Sequence, residues 1–204
     1  MYTVGMPLSG ELFFMYATML LAIPTGVTVF NWLATMWRGS MTFETPMLYA
    51  ISAVALFTVG GLTGVMMAIT PADFQYHDTY FIVAHFHYVI FAGSVLSMFG
   101  AVYFWLPKWT GHMYNETLGK WHFWLTVIAF NVTFFPQHFL GLAGMPRRIP
   151  DYAQQFTEFN MVSSIGAFVL GFSQILLLIN VVRTIKAGQQ ASDQVWEGAE
   201  GLEW

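Results

Sequence analysis

Long apolar runs alternate along the chain with short polar breaks, and the runs set its architecture. Five are long enough to cross a hydrocarbon core of ~30 Å at ~1.5 Å per residue, near residues 11–37, 45–69, 79–106, 119–143 and 156–186. The pattern predicts an all-α integral membrane protein whose transmembrane region covers residues 1–187. From residue 188 the composition turns to Gly188-Gln189-Gln190-Ala191-Ser192-Asp193-Gln194 and then to Glu197, Glu200 and Glu203. That segment, 188–204, reads as a polar, weakly structured tail. The breaks between the runs are short, so no separate folded domain is expected.

Polar and small residues interrupt the runs in two informative places. In the first run Pro24 is followed by Thr25, Gly26 and Thr28. One reading is a proline kink whose hydroxyls bond back to freed carbonyls; the other is a hydrated proton path along Thr25 and Thr28. In the second run, Gly60 and Gly64 form a small-xxx-small face that lets a neighbouring helix approach, and Gly93, Ser97 and Ala101 repeat the spacing in the third.

Composition narrows the chemistry. With 204 residues, 56% hydrophobic and only 9% charged, the chain cannot coat a soluble globule. Cysteine is absent, which excludes disulfides, thiolate metal sites and cysteine nucleophiles. A metal must therefore be held by histidine, carboxylate or a bound cofactor. The net charge of −4 leaves no basic stripe for nucleic acid. No charged n-region precedes the first apolar run, so no cleavable signal pattern is read.

Charge also orients the spans. With the first span ending inside, Arg38, Lys108, Lys120, Arg183 and Lys186 fall on the inner side, and only Arg147 and Arg148 on the outer. The tail is then cytoplasmic. The adjacent pair Arg147-Arg148 runs against the preference, which points to an anion on the outer side.

The chemistry concentrates in His77-Asp78-Thr79-Tyr80-Phe81-Ile82-Val83-Ala84-His85-Phe86-His87-Tyr88, with three of the six histidines. Ionisable residues in a membrane segment are a default functional hypothesis. At ~100° per residue, His85 and His87 point ~200° apart, so they cannot grip one metal but can each hold one. They lie ~10 to 14 Å deeper than Asp78. A haem standing on edge fits that depth, its iron at a histidine and its propionates at Arg147 and Arg148. His77 and Asp78 suit magnesium, manganese or zinc, or else Asp78 caps the following helix. Of the other histidines, His112 is read as solvated, His122 as part of an interfacial aromatic belt beside Trp121 and Trp124, and His138 as a packing or supporting residue.

The run from His77 to Val89, together with Phe134-Phe135-Pro136-Gln137-His138-Phe139-Leu140-Gly141 and Gly144-Met145-Pro146-Arg147-Arg148, resembles subunit I of haem–copper terminal oxidases, specifically the bacterial aa3-type cytochrome c oxidases. The resemblance implies the last five of twelve spans and two haem A groups. His85 would ligate the high-spin haem iron, as the catalytic residue, and His87 the low-spin haem iron, with Phe86 between the two. His77 and Asp78 would hold magnesium at the subunit II interface, and Arg147 and Arg148 the propionates. It further implies an N-terminal part of subunit I, subunits II and III as partners, cytochrome c as donor through subunit II, and a lipid-embedded place in the bacterial plasma membrane. The activity implied is oxygen reduction to water coupled to proton pumping. A quinol-oxidising relative and a non-catalytic fragment are the alternatives.

Two departures from the family pattern stand out. The copper-ligating histidines that precede the stretch matching Met1 to Met6 are absent, so copper B would be held by residues outside this chain. Thr28 stands where the family usually has a proton-channel lysine. Threonine can hydrogen-bond water but carries no charge.

Overall fold

The computed structural model describes residues 2–199 and 201; Met1 and the tail's Glu200 and Glu203 lie outside the described residues. Among the described residues, five helical spans are long and apolar enough to cross a membrane: Leu8–Met36, Thr45–Ala68, Tyr80–Thr110, Glu116–Leu142 and Gln154–Ala187. The chain is an integral membrane protein of the all-α class. Sequence chemistry sets the ends of the helices. The first span is two helices, α1 (Leu8–Leu20) and α2 (Ala22–Met36), broken at Leu21 three residues before Pro24. The Thr25 hydroxyl donates to the Leu21 carbonyl at 2.8 Å and Thr28 to the Pro24 carbonyl at 3.0 Å. Both hydroxyl protons therefore serve the backbone of their own helix, as the kink reading expects.

The second span is α3 (Thr45–Ala68), begun by Pro46 in its first turn. A short helix, α4 (Thr70–Tyr76), follows at its far end. The third span opens as α5 (Tyr80–Ile90), passes through one π-helical turn (Phe91–Leu96) and continues as α6 (Ser97–Thr110). Asn115 caps α7 (Glu116–Leu142), its side chain accepting from the Leu118 amide at 2.8 Å. A 3₁₀ turn then leads into α8 (Thr157–Ala187).

Glycine decides how closely these helices meet. A β-carbon at Gly166 of α8 would fall 2.6 Å from the Thr133 hydroxyl of α7, and one at Gly119 of α7 would fall 2.7 Å from that of Thr45. Gly60 and Gly64 of α3 face α5, as their spacing predicts. On the third span, Gly93 meets Phe57 and Gly100 meets Tyr49 and Pro46, because the π turn intervenes and shifts the register.

Three departures from the sequence reading follow from packing. His122 is fully buried, not interfacial: the Tyr49 hydroxyl lies 2.8 Å and the Tyr103 hydroxyl 3.1 Å from its Nδ1. The polar stripe of α7 is covered here by α3, α6 and α8, with Thr126 and Ser173 hydrogen-bonded at 2.9 Å beside it. His112 is half-buried and directs Nδ1 at the Thr110 carbonyl, 2.9 Å away. The start of the tail is also ordered. Strand β1 (His112–Met113) pairs antiparallel with β2 (Gln189–Gln190), and Trp196 donates from Nε1 to the Phe104 carbonyl at 2.9 Å while stacking on that ring.

Candidate functional site

The candidate residues gather at the end of the bundle where α4 meets α5 and along the first two turns of α5. Asp78 sits there with φ 55°, a left-handed conformation that aspartate tolerates better than most residues. The turn it makes brings its carbonyl to the Arg147 amide at 2.9 Å, while the Tyr80 amide donates to the Met145 carbonyl at 3.0 Å. Thr79 and Pro146 form an isolated antiparallel bridge between these bonds. The segments 78–80 and 145–147 are thus stitched together by their backbones. Thr79 caps α5, accepting from the Phe81 amide at 3.3 Å, so the capping role considered for Asp78 falls to its neighbour.

The side chains complete this junction. Arg147 donates from Nε at 2.9 Å and from Nη2 at 2.8 Å to the same Asp78 oxygen, Oδ1. The guanidinium holds the Asp78 carboxyl below the usual carboxylate range, and His77 and Arg148 act in the same direction. The second oxygen, Oδ2, lies 3.4 Å from His77 Nε2. Nδ1 of His77 faces Asp73 Oδ2 at 3.2 Å. Asp73 is buried on α4 four residues before His77, at a helical i,i+4 spacing visible in the sequence. Arg148 is exposed, with φ 61°.

Asp78 Oδ2 and His77 Nε2 could share a cation: two adjacent ligands of an octahedral ion with bonds of ~2.1 Å stand ~3.0 Å apart. Among the described residues no group of three or more His, Asp or Glu side chains could enclose a metal ion, so this pair would need further donors.

Deeper along α5, the rings of His85 and His87 go to different neighbours. His85 is held by α3. Its Nδ1 lies 3.0 Å from the Gly60 carbonyl and 3.0 Å from the Thr63 hydroxyl, and its ring edge rests against Gly64. His87 turns toward α7, stacked on Phe134 with centroids 3.9 Å apart, its Nδ1 at 2.7 Å from the Val83 carbonyl of its own helix. Carbonyls only accept, so each Nδ1 carries the proton and each Nε2 keeps its lone pair. No hydrogen bond occupies either Nε2 among the described residues. A neutral imidazole with Nδ1–H tied to a carbonyl and Nε2 open is the form in which histidine ligates iron, so both fit an axial haem ligand.

His138 supports this region rather than facing it from a distance. Buried on α7, it packs against Phe81, Tyr88 and Phe135, with Nδ1 3.2 Å from the Phe135 carbonyl. The Tyr88 hydroxyl donates to Asn131 at 2.7 Å and ties the same faces of α5 and α7 together. Thr25 and Thr28 stand apart from these groups, on the lightly packed first span.

The family model described as "Cytochrome C and Quinol oxidase polypeptide I" matches residues 1–169. The cytochrome c oxidase subunit 1 of Bacillus sp. (strain PS3) is 50% identical over 206 residues, covering 100% of this chain and 33% of that protein. The quinol oxidase subunit 1 of Bacillus spizizenii (strain ATCC 23059 / NRRL B-14472 / W23) is 46% identical over 206 residues, covering 100% of this chain and 32% of that protein. Among solved structures, a heme-copper terminal oxidase dimer superposes with a TM-score of 0.79 at 18% identity, over 96% of this chain and 40% of that one, a likeness of fold. The chain thus spans about a third of the length of the curated relatives it matches, and its five spans correspond to the last part of subunit I. The chain belongs to the family of subunit I of the haem–copper oxidases, which includes cytochrome c and quinol oxidases.

Proposed function

We propose that this chain supplies the haem-holding helices of an oxidase that takes electrons from cytochrome c, reduces oxygen to water and pumps protons across the bacterial plasma membrane. The observation that carries the reading is the division of α5: His85 is clamped to α3 and His87 stacked on α7, each with Nε2 open. Two irons can be held on opposite sides of one helix, His85 binding the high-spin haem A and His87 the low-spin one. Bound haem would supply the electron transfer and oxygen chemistry.

The chain's own residues do the rest. The Gly60 and Val83 carbonyls hold the two imidazoles by Nδ1, and Phe86 lies between the two haems. Arg147 and Arg148 neutralise propionate charge, with Arg147 already steadied by Asp78. His77 and Asp78 contribute two donors to a magnesium ion that subunit II completes. Copper B is bound by the N-terminal part of subunit I, and subunits II and III complete the complex. The tail faces the cytoplasm. Proton uptake along Thr25 and Thr28 requires their hydroxyls to release the Leu21 and Pro24 carbonyls.

A quinol donor is the second reading, favoured by the 46% identity to a quinol oxidase subunit 1. The test is oxygen consumption by the assembled complex, offered either reduced cytochrome c or a reduced quinol. Turnover with cytochrome c alone supports the proposal. Turnover with quinol alone selects the second reading, and none with either donor makes the chain non-catalytic.

A further inference from the structure

Three features of one α3 segment, Gly60-Gly61-Leu62-Thr63-Gly64, converge on the His85 ring from 21 to 25 positions away in sequence. The Thr63 hydroxyl lies 2.8 Å from the Gly60 carbonyl and donates to it. That commits the hydroxyl proton and leaves an oxygen lone pair toward His85 Nδ1, 3.0 Å away. The Gly60 carbonyl sits at the same distance from the same nitrogen. Nδ1–H therefore has two acceptors, and the three atoms form a closed triangle of hydrogen bonds. The opposite tautomer would set a bare nitrogen against a carbonyl oxygen and free no donor without breaking the Thr63 bond. Gly64 supplies the seat: a β-carbon there would lie 3.0 Å from His85 Cε1, against the ring edge that joins the two nitrogens.

We propose that Thr63 is a positioning residue for His85, its hydroxyl acting as the second acceptor that locks the Nδ1–H tautomer and the plane of the ring while Nε2 stays open to iron. One acceptor defines a direction; two acceptors from different points of α3 also define the rotation of the imidazole about its bond to Cβ. The electron donation of the ring rises with the strength of hydrogen bonding at Nδ1–H, so Thr63 also sets how basic Nε2 is toward a metal. The inference rests on the reading of His85 as an iron ligand.

The test uses the assembled oxidase carrying Thr63→Val, Thr63→Ala or Thr63→Ser, with His85→Ala as the control, and reads the iron–histidine stretching band by resonance Raman together with haem content. Thr63→Val and Thr63→Ala remove the second acceptor and leave Gly60 in place. They are expected to keep the high-spin haem while the band moves to lower frequency and broadens; Thr63→Ser is expected to restore the native band. An unshifted band in Thr63→Val overturns the proposal. So does failure of both Thr63→Val and Thr63→Ala to assemble while Thr63→Ser assembles, which would make the hydroxyl a folding group. His85→Ala separates the two claims. If that variant keeps the high-spin haem and its band, the ligand reading itself fails. If it loses both while Thr63→Val is native, only the positioning role fails.

Discussion

Among the described glycines, the one with the closest backbone neighbour lies directly behind the candidate site. A β-carbon at Gly141 of α7 would fall 2.0 Å from the Phe81 amide nitrogen, 2.5 Å from its Cβ and 2.6 Å from its Cα. Ordinary van der Waals contact begins at 3.4 Å, so Gly141→Ala requires the first turn of α5 to retreat by about 1.4 Å. The obstacle is backbone, which cannot rotate out of the way as a side chain can. Overpacking of a well-filled interior costs about 1–3 kcal/mol, and a clash of this depth belongs at or above the upper figure. The retreat would also pull Tyr80 from the Met145 carbonyl, because Tyr80 directly precedes Phe81 in the same turn. Gly171 of α8 is the control, since an added β-carbon there meets nothing within 4 Å. Gly171→Ala should be neutral or stabilising by about 0.5–1 kcal/mol. The assay is thermal inactivation of the assembled complex together with its haem content. Gly141→Ala should lower both while Gly171→Ala lowers neither. Equal behaviour of the two variants would refute the close approach of α5 and α7 on which the site is built.

His122→Phe should destabilise the complex by about 1–3 kcal/mol, since it strands the Tyr49 and Tyr103 hydroxyls in a buried setting; a melting temperature unchanged from the parent would contradict the packing described. Trp196→Ala removes the bond to Phe104 and the ring stacking, so limited proteolysis between residues 188 and 199 should speed up with no effect on cleavage elsewhere. Thr28→Lys would place a charge where only a hydroxyl stands, and haem reduction in the assembled oxidase should accelerate if that helix carries protons; an unchanged rate argues against the route.

The spans were legible because a bilayer imposes a length on any apolar helix, and the separation of His85 from His87 because two residues on a helix turn it by ~200°. What each histidine turns toward was not legible. His85 is held by α3, while His87 bonds within α5 and stacks on α7, and no local pattern says which helix lies on which side. The ion pair of Asp78 and Arg147 spans 69 positions, and only the fold brings the two together. His122 was misplaced for a related reason: flanking tryptophans mark an interface when a helix is alone, but α3, α6 and α8 cover this side of α7. Asp73 was within reach of the sequence, four residues before His77 on a short helix. The order in the tail was hidden by its polar composition, because a single tryptophan and a two-residue strand suffice to fasten it.

The central claim is that α5 holds two irons, one on each side. Optical spectra of the assembled oxidase with His85→Ala and with His87→Ala test it most directly. Loss of the high-spin haem signal alone is expected in the first variant and of the low-spin signal alone in the second. Both signals intact in either variant, or both lost together in each, would contradict it.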